Sequence, residues 1–399
     1  MPTIVGDRLG DLSGTARGGN QVIKYNDYRS DTTIYGDVSG LIRSEAQGGA
    51  DNITVNRQVA GGVFGDSNEI IDKGRGGADI ITLTGEYGNI AYGDAYKMSG
   101  SSVGGRDTLI IPDQDSEGED QAINMLFGDA YQMAGKAVGG DDVFQHQGMG
   151  TVYLYGDAFT LTDTVKGGND YVDLNAWAGS YVFGDADTIS KTATGGADIL
   201  NVGGTDVEVR GDARLMQDSA KGGADKLDVS SDVGSATVWG DAEEMIGSAK
   251  GGADVITFGA YHGYATAYGD GGPMAGYTVG GNDTIQGLDY GGKPTVDAYG
   301  DAGSMTGNAK GGHDTINVEA FSVHVAGDAW SMADNTVGGA DKIVGTGYYS
   351  SRIVGDANTM TGHAKGGKDV ITMYSSSESD SSFAYGRCCH HVGFGRWER

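Results

Sequence analysis

Two dipeptides recur along the whole chain at almost fixed distances. Gly-Gly begins at Gly18, Gly48, Gly76, Gly104, Gly139, Gly167, Gly195, Gly222, Gly251, Gly280, Gly311, Gly338 and Gly366. Gly-Asp begins at Gly6, Gly36, Gly65, Gly93, Gly128, Gly156, Gly184, Gly211, Gly240, Gly269, Gly300, Gly327 and Gly355. Gly-Asp leads to the next Gly-Gly after 11 residues, or 12 in the first two repeats, whereas Gly-Gly leads to the next Gly-Asp after 16 to 24. One half of each repeat is therefore fixed in geometry, and the other takes insertions as a loop does. A unit of about 28 residues cannot bury an apolar face by itself, but stacked copies can.

The residues between the glycines show what is stacked. Two positions after the Gly-Gly-x-Asp aspartate stand Ile53, Ile81, Leu109, Phe144, Val172, Leu200, Leu227, Ile256, Ile285, Ile316, Ile343 and Ile371. Alternation follows this column, as in Asp254-Val255-Ile256-Thr257-Phe258, which is the period of a strand with one buried face. An aromatic residue precedes most Gly-Asp corners, and a large apolar residue, usually Met, lies four positions beyond the corner aspartate. The pattern predicts two short strands per repeat joined by turns. It gives an all-β fold, a parallel β-solenoid (β-roll or β-helix) of about 13 coils with glycine-aspartate turns. Residues 1–373 are expected to form one repeat solenoid, and 374–399 a non-repeat tail, altered or truncated. The aromatic and Met columns are read as core.

What the core does not use is charge. The chain has 399 residues, 55 acidic and 27 basic, for a net charge of −28. Two aspartate ladders hold most of it. Corner aspartates Asp37, Asp66, Asp94, Asp129, Asp157, Asp185, Asp212, Asp241, Asp270, Asp301, Asp328 and Asp356 form one, with Asp7 ahead of them. The Gly-Gly-x-Asp aspartates Asp51, Asp79, Asp107, Asp142, Asp170, Asp198, Asp225, Asp254, Asp283, Asp314, Asp341 and Asp369 form the other. Like charges about 5 Å apart repel by roughly 0.8 kcal/mol per pair even in bulk water, which sums over both ladders to the order of 10 kcal/mol. That is a typical domain's whole stability. The carboxylates must face water, cap turn N–H groups, or bind cations between coils. No His or Cys column accompanies them, so the donors are hard oxygens, which favour Ca²⁺ over Zn²⁺ and, because Mg²⁺ resists dehydration, over Mg²⁺. All 24 of these aspartates are candidate ligands for several calcium ions.

These residues resemble haemolysin-type calcium-binding (RTX) repeats. Gly252-Ala253-Asp254-Val255-Ile256 is similar to the second half of the nonapeptide G-G-x-G-x-D-x-U-x, and Trp239-Gly240-Asp241-Ala242 to the first. In Gly156-Asp157-Ala158 and Gly168-Asn169-Asp170 nine residues separate the halves. The chain looks like an RTX repeat split by an insertion inside each turn, over about residues 5 to 373. The resemblance implies a secreted, extracellular bacterial protein folding on calcium and exported by type I secretion machinery without a cleaved leader. Uninterrupted nonapeptides are absent, so the family's standard ligand set and 18-residue coil do not transfer intact.

The remaining motifs are weak. Clustered Lys and Arg for nucleic acid are missing, as is any run of about 18 apolar residues for a membrane span. Met1-Pro2-Thr3-Ile4-Val5-Gly6-Asp7 has neither the basic nor the apolar region of a Sec-type signal. Gly100-Ser101-Ser102-Val103-Gly104 fits a hydrolase elbow and Arg210-Gly211-Asp212 an adhesion tripeptide, both inside the repeat. Asp113–Asp120 is an acidic insertion, and Cys388-Cys389-His390-His391 sits in the divergent tail. The reading is a calcium-binding, non-enzymatic repeat protein with a structural, adhesive or surface-matrix role, with surface or matrix polysaccharide as a further partner. The alternative is a carbohydrate-acting parallel β-helix enzyme of lyase or epimerase type, or its non-catalytic binding module.

Overall fold

A computed structural model describes residues 3–27, 31–85, 88–112, 123–148, 150–375, 383–386 and 391–396. Every regular element among them is a β-strand. The chain forms two compact units, residues 1–199 and 200–399. The first carries seven Gly-Asp corners and the second six. Within each unit the strands pair in parallel with their counterparts one repeat away, the geometry of a β-solenoid.

Most coils hold three strands where the sequence pattern suggests two; in two coils of the second unit the first and second run on as one, Thr315–Ala326 and Lys342–Val354. The coil of Asp79 shows the plan. Ile80–Leu83 leaves the Gly-Gly turn, Ile90–Tyr92 enters the next Gly-Asp corner, and Ala95–Met98 follows that corner. The third strand escapes a period-two search for a physical reason. Its buried residues are the first and last of four, Ala95 and Met98, so neighbouring side chains do not alternate in and out. Its pairing is nevertheless in register, Ala95 with Ala130 and Met98 with Met133.

In-register stacking places like on like. Ile53, Ile81, Leu109, Phe144 and Val172 in the first unit, and Leu227, Ile256, Ile285, Ile316 and Ile343 in the second, are fully or almost fully buried. The Met column is equally buried from Met216 to Met332. Met360 is only partly so, because no described strand covers the far side of Ala357–Met360. Ahead of the corners, Tyr35, Phe64, Tyr92, Phe127, Tyr155 and Phe183 form a continuous face-to-face stack with centroid spacings of 4.7 to 5.0 Å. In the second unit Trp239, Tyr268 and Tyr299 do the same at 5.9 and 5.1 Å. The core reading of both columns holds.

The turn between the third strand and Gly-Gly contains a left-handed residue in every coil. Gly14, Gly100, Gly135, Gly247, Gly276, Gly307 and Gly362 occupy it with φ from +70° to +89°. Ser44, Asp72, Asp163, Lys191, Asp218 and Asp334 occupy it with φ from +60° to +68°. An L-residue other than glycine is disfavoured there by roughly 1–2 kcal/mol.

Candidate functional site

The corner glycines are not left-handed; close approach selects them. A Cβ at Gly65 would overlap both the Gly93 carbonyl oxygen of the next coil and Asp79 Oδ2. The same two kinds of atom crowd Gly36, Gly93, Gly128, Gly240, Gly269 and Gly300. Absence of a side chain lets the coils close on one another, and it lets carboxylates nest against backbone.

Neither ladder faces water. All 24 candidate aspartates are at most 2% exposed, whereas Asp7 in the first coil is exposed. Each corner carboxylate accepts a hydrogen bond from the second glycine of its own Gly-Gly turn. Gly77 N–H donates to Asp66 at 2.8 Å, Gly168 to Asp157 at 2.8 Å and Gly252 to Asp241 at 2.6 Å, and Gly339 and Gly367 donate to Asp328 and Asp356. The same bond closes the 12-residue turns of the first two coils, from Gly19 to Asp7 and from Gly49 to Asp37 at 2.6 Å, so it pins the two ends of the turn at either length. The Gly-Gly-x-Asp carboxylates act between coils instead. The backbone N–H of Asp79 donates to Asp107 Oδ1 at 2.6 Å, that of Asp107 to Asp142 at 2.7 Å, and that of Asp254 to Asp283 at 2.8 Å.

One oxygen of each carboxylate in this second ladder is thus used as a turn cap. At ten of them the other is left over. Oδ2 receives no hydrogen bond at Asp51, Asp79, Asp107, Asp142 and Asp170 in the first unit, or at Asp254, Asp283, Asp314, Asp341 and Asp369 in the second. In the corner ladder, successive carboxyls reach one another: Asp37 with Asp66, Asp94 with Asp66 and Asp129, and Asp241 with Asp212 and Asp270. Two carboxylate oxygens can share such a contact only through a proton or a cation. The two ladders also lie close enough to repel each other, as Asp66 with Asp79 and Asp129 with Asp142.

Burial, reinforced by neighbouring carboxylates, disfavours the charged form. It lifts Asp37 to about 6, against hydrogen bonds that oppose it. Asp51 rises to about 7, Asp241 to about 6 and Asp341 to about 7, burial again being the main cause. Asp66, Asp107, Asp142 and Asp283 are pushed well above the ordinary carboxylate range.

The donors fit a hard cation in chemistry: buried, unmatched carboxylate oxygens beside turn carbonyls. Among the described residues, no three acidic, His or Cys side chains gather round one point. An ion here would draw on ladder carboxyls in pairs, with backbone oxygens completing its shell.

Other sequence motifs resolve simply. Ser102 of the G-x-S-x-G match is fully buried and no helix follows it. In the adhesion tripeptide both Arg210 and Asp212 are buried. The Arg210 guanidinium lies over Trp239 at 4.5 Å and pairs with Glu208 and Glu243 at 2.6 Å. His146 alone occupies an apolar column, in register with Ile111 and Leu174. The acidic insertion Asp113–Asp120 and Cys388-Cys389-His390 lie outside the described residues, while His391 begins a strand paired with Val370–Ser375. Comparison with family models, with curated proteins and with solved structures returns no match.

Proposed function

We propose that this chain is a structural repeat protein whose buried carboxylate ladders are neutralised by calcium ions, so that ion uptake and folding are one event. The supporting observation is the repeated, unmatched Oδ2 of the Gly-Gly-x-Asp ladder. A single buried acid is tolerated by staying protonated. Two adjacent rows of them at neutral pH demand either many retained protons or a set of cations. Calcium is the cation that the all-oxygen donor set suits. Secretion, and an adhesive or matrix role, follow from the RTX resemblance and from the ready supply of millimolar calcium outside cells.

The test is calorimetric. The chelated protein at pH 7.5 is titrated with CaCl₂, and bound ions are counted. Uptake of several ions per chain, with proton release as they enter, supports the proposal. Heat no larger than dilution would mean that protons alone neutralise the ladders.

A further inference from the structure

Unit 200–399 carries a second periodic charge pattern, of opposite sign and on the outside. The residue before Gly-Gly is Lys221, Lys250, Val279, Lys310, Val337 and Lys365 in successive coils, and these positions bridge in register, Lys221 to Lys250 to Val279 to Lys310. Lys226 and Lys342 stand just after the Gly-Gly-x-Asp aspartate, and Lys368 occupies the variable position of that motif. All seven lysines are exposed. None is within ion-pair distance of an acidic side chain among the described residues. Between them lie only glycines and small, neutral or His side chains, and the one acid of each motif, the aspartate, is buried.

We infer that this Gly-Gly edge binds a linear acidic polysaccharide. Three features select that occupant. The row is in register and one coil is about 4.8 Å from the next, so its charges lie roughly 5 to 10 Å apart. That suits a polymer with one charge per sugar or per disaccharide. Double-stranded DNA, with a charge per about 1.7 Å, would leave most phosphates unmatched against a chain of net charge −28. The Gly-Gly-x-Asp motifs of this unit present no exposed acid beside the lysines to repel a polyanion. The inference rests on neutralisation of the ladders beneath, because the 12 ladder aspartates of this unit, if ionised, would otherwise cancel the field of the row.

The competing account is that the lysines only offset the aspartates through the backbone. Full-length protein in calcium is tested by affinity electrophoresis against dextran sulfate, dextran and single-stranded DNA. Dextran sulfate is expected to retard the wild type, and dextran to leave it unaffected. Lys221→Glu/Lys250→Glu/Lys310→Glu is expected to weaken dextran sulfate binding at least ten-fold, and the triple Arg variant to keep it. A triple Gln variant with wild-type circular dichroism replaces the Glu form if that does not fold. Equal retardation of wild type and charge-altered variants, or tighter binding of DNA than of dextran sulfate, overturns the inference. Calcium uptake is measured by calorimetry on the same preparations, so loss of polymer binding with normal uptake separates this failure from failure of the calcium proposal.

Discussion

Each coil has two kinds of turn, and they obey opposite rules. The corner from Gly-Asp to Gly-Gly buries its aspartate, is constant at 11 residues beyond the first two repeats, and is stitched by the glycine N–H to aspartate bond. The turn between the first and second strands varies in length, is open to water at Trp177, Tyr261 and Tyr290, and includes the long insertion after Ile111. The difference shows where this fold stores its specificity. A buried carboxylate has one acceptable distance to its donor. A solvated loop lengthens at a cost that grows only with the logarithm of its length.

The largest effect expected from breaking the constant turn comes from Gly65→Ala. Its Cβ would meet backbone and carboxylate, neither of which has room to move. A loss of about 3 kcal/mol or more is expected, read from urea denaturation. Wild-type stability would show that the coils separate easily at the corner.

Charge removal sharpens the comparison next. Asp254→Asn keeps an oxygen for the Asp225 N–H, which donates at 2.8 Å, but removes a charge. In chelator at pH 7.5 it is expected to stabilise the protein by about 1 kcal/mol by relieving repulsion. In calcium it is expected to destabilise by a similar amount and to reduce ion uptake. The same sign in both conditions would contradict cation neutralisation.

The pH dependence follows from the lifted carboxyls. An aspartate that holds its proton more tightly folded than unfolded adds stability that is complete below the unfolded value, about 4. That stability is lost as pH rises through the folded values, about 6 for Asp37 and Asp241 and about 7 for Asp51 and Asp341. The metal-free chain is therefore expected to melt higher at pH 5 than at pH 8, the reverse of an ordinary acidic protein. Calcium should flatten that slope.

The variable turn supplies the control. Three extra glycines after Tyr290 should cost well under 1 kcal/mol, while the same insertion after Met245, inside the constant turn, should unfold that coil. The smallest effect is a gain. Ser44→Gly relieves a residue at φ +65° and is expected to add about 0.5–1 kcal/mol, measured by the urea midpoint.

The repeat, its parallel stacking and its core columns were legible because glycine spacing and the Ile column are periodic in one dimension. The third strand was hidden by its first-and-fourth burial. The left-handed turn position was hidden because six of its thirteen occupants are not glycine. The aspartates were found as ladders, but their burial was not legible. Aspartate after glycine reads as a surface turn residue, and only the stack shows Gly77 N–H and the next coil closing over it. The lysine row was visible at Lys221, Lys250, Lys310 and Lys365 all along. Beside 55 acids it passed as ordinary surface charge.

The most direct test of the central claim is paired urea denaturation at pH 7.5, once in millimolar calcium and once in chelator with magnesium present. The calcium proposal predicts a large calcium-specific gain: a cooperative transition in calcium, and a weakly stable or expanded chain in chelator. Coincident curves would show that the buried carboxylates keep their protons and need no cation.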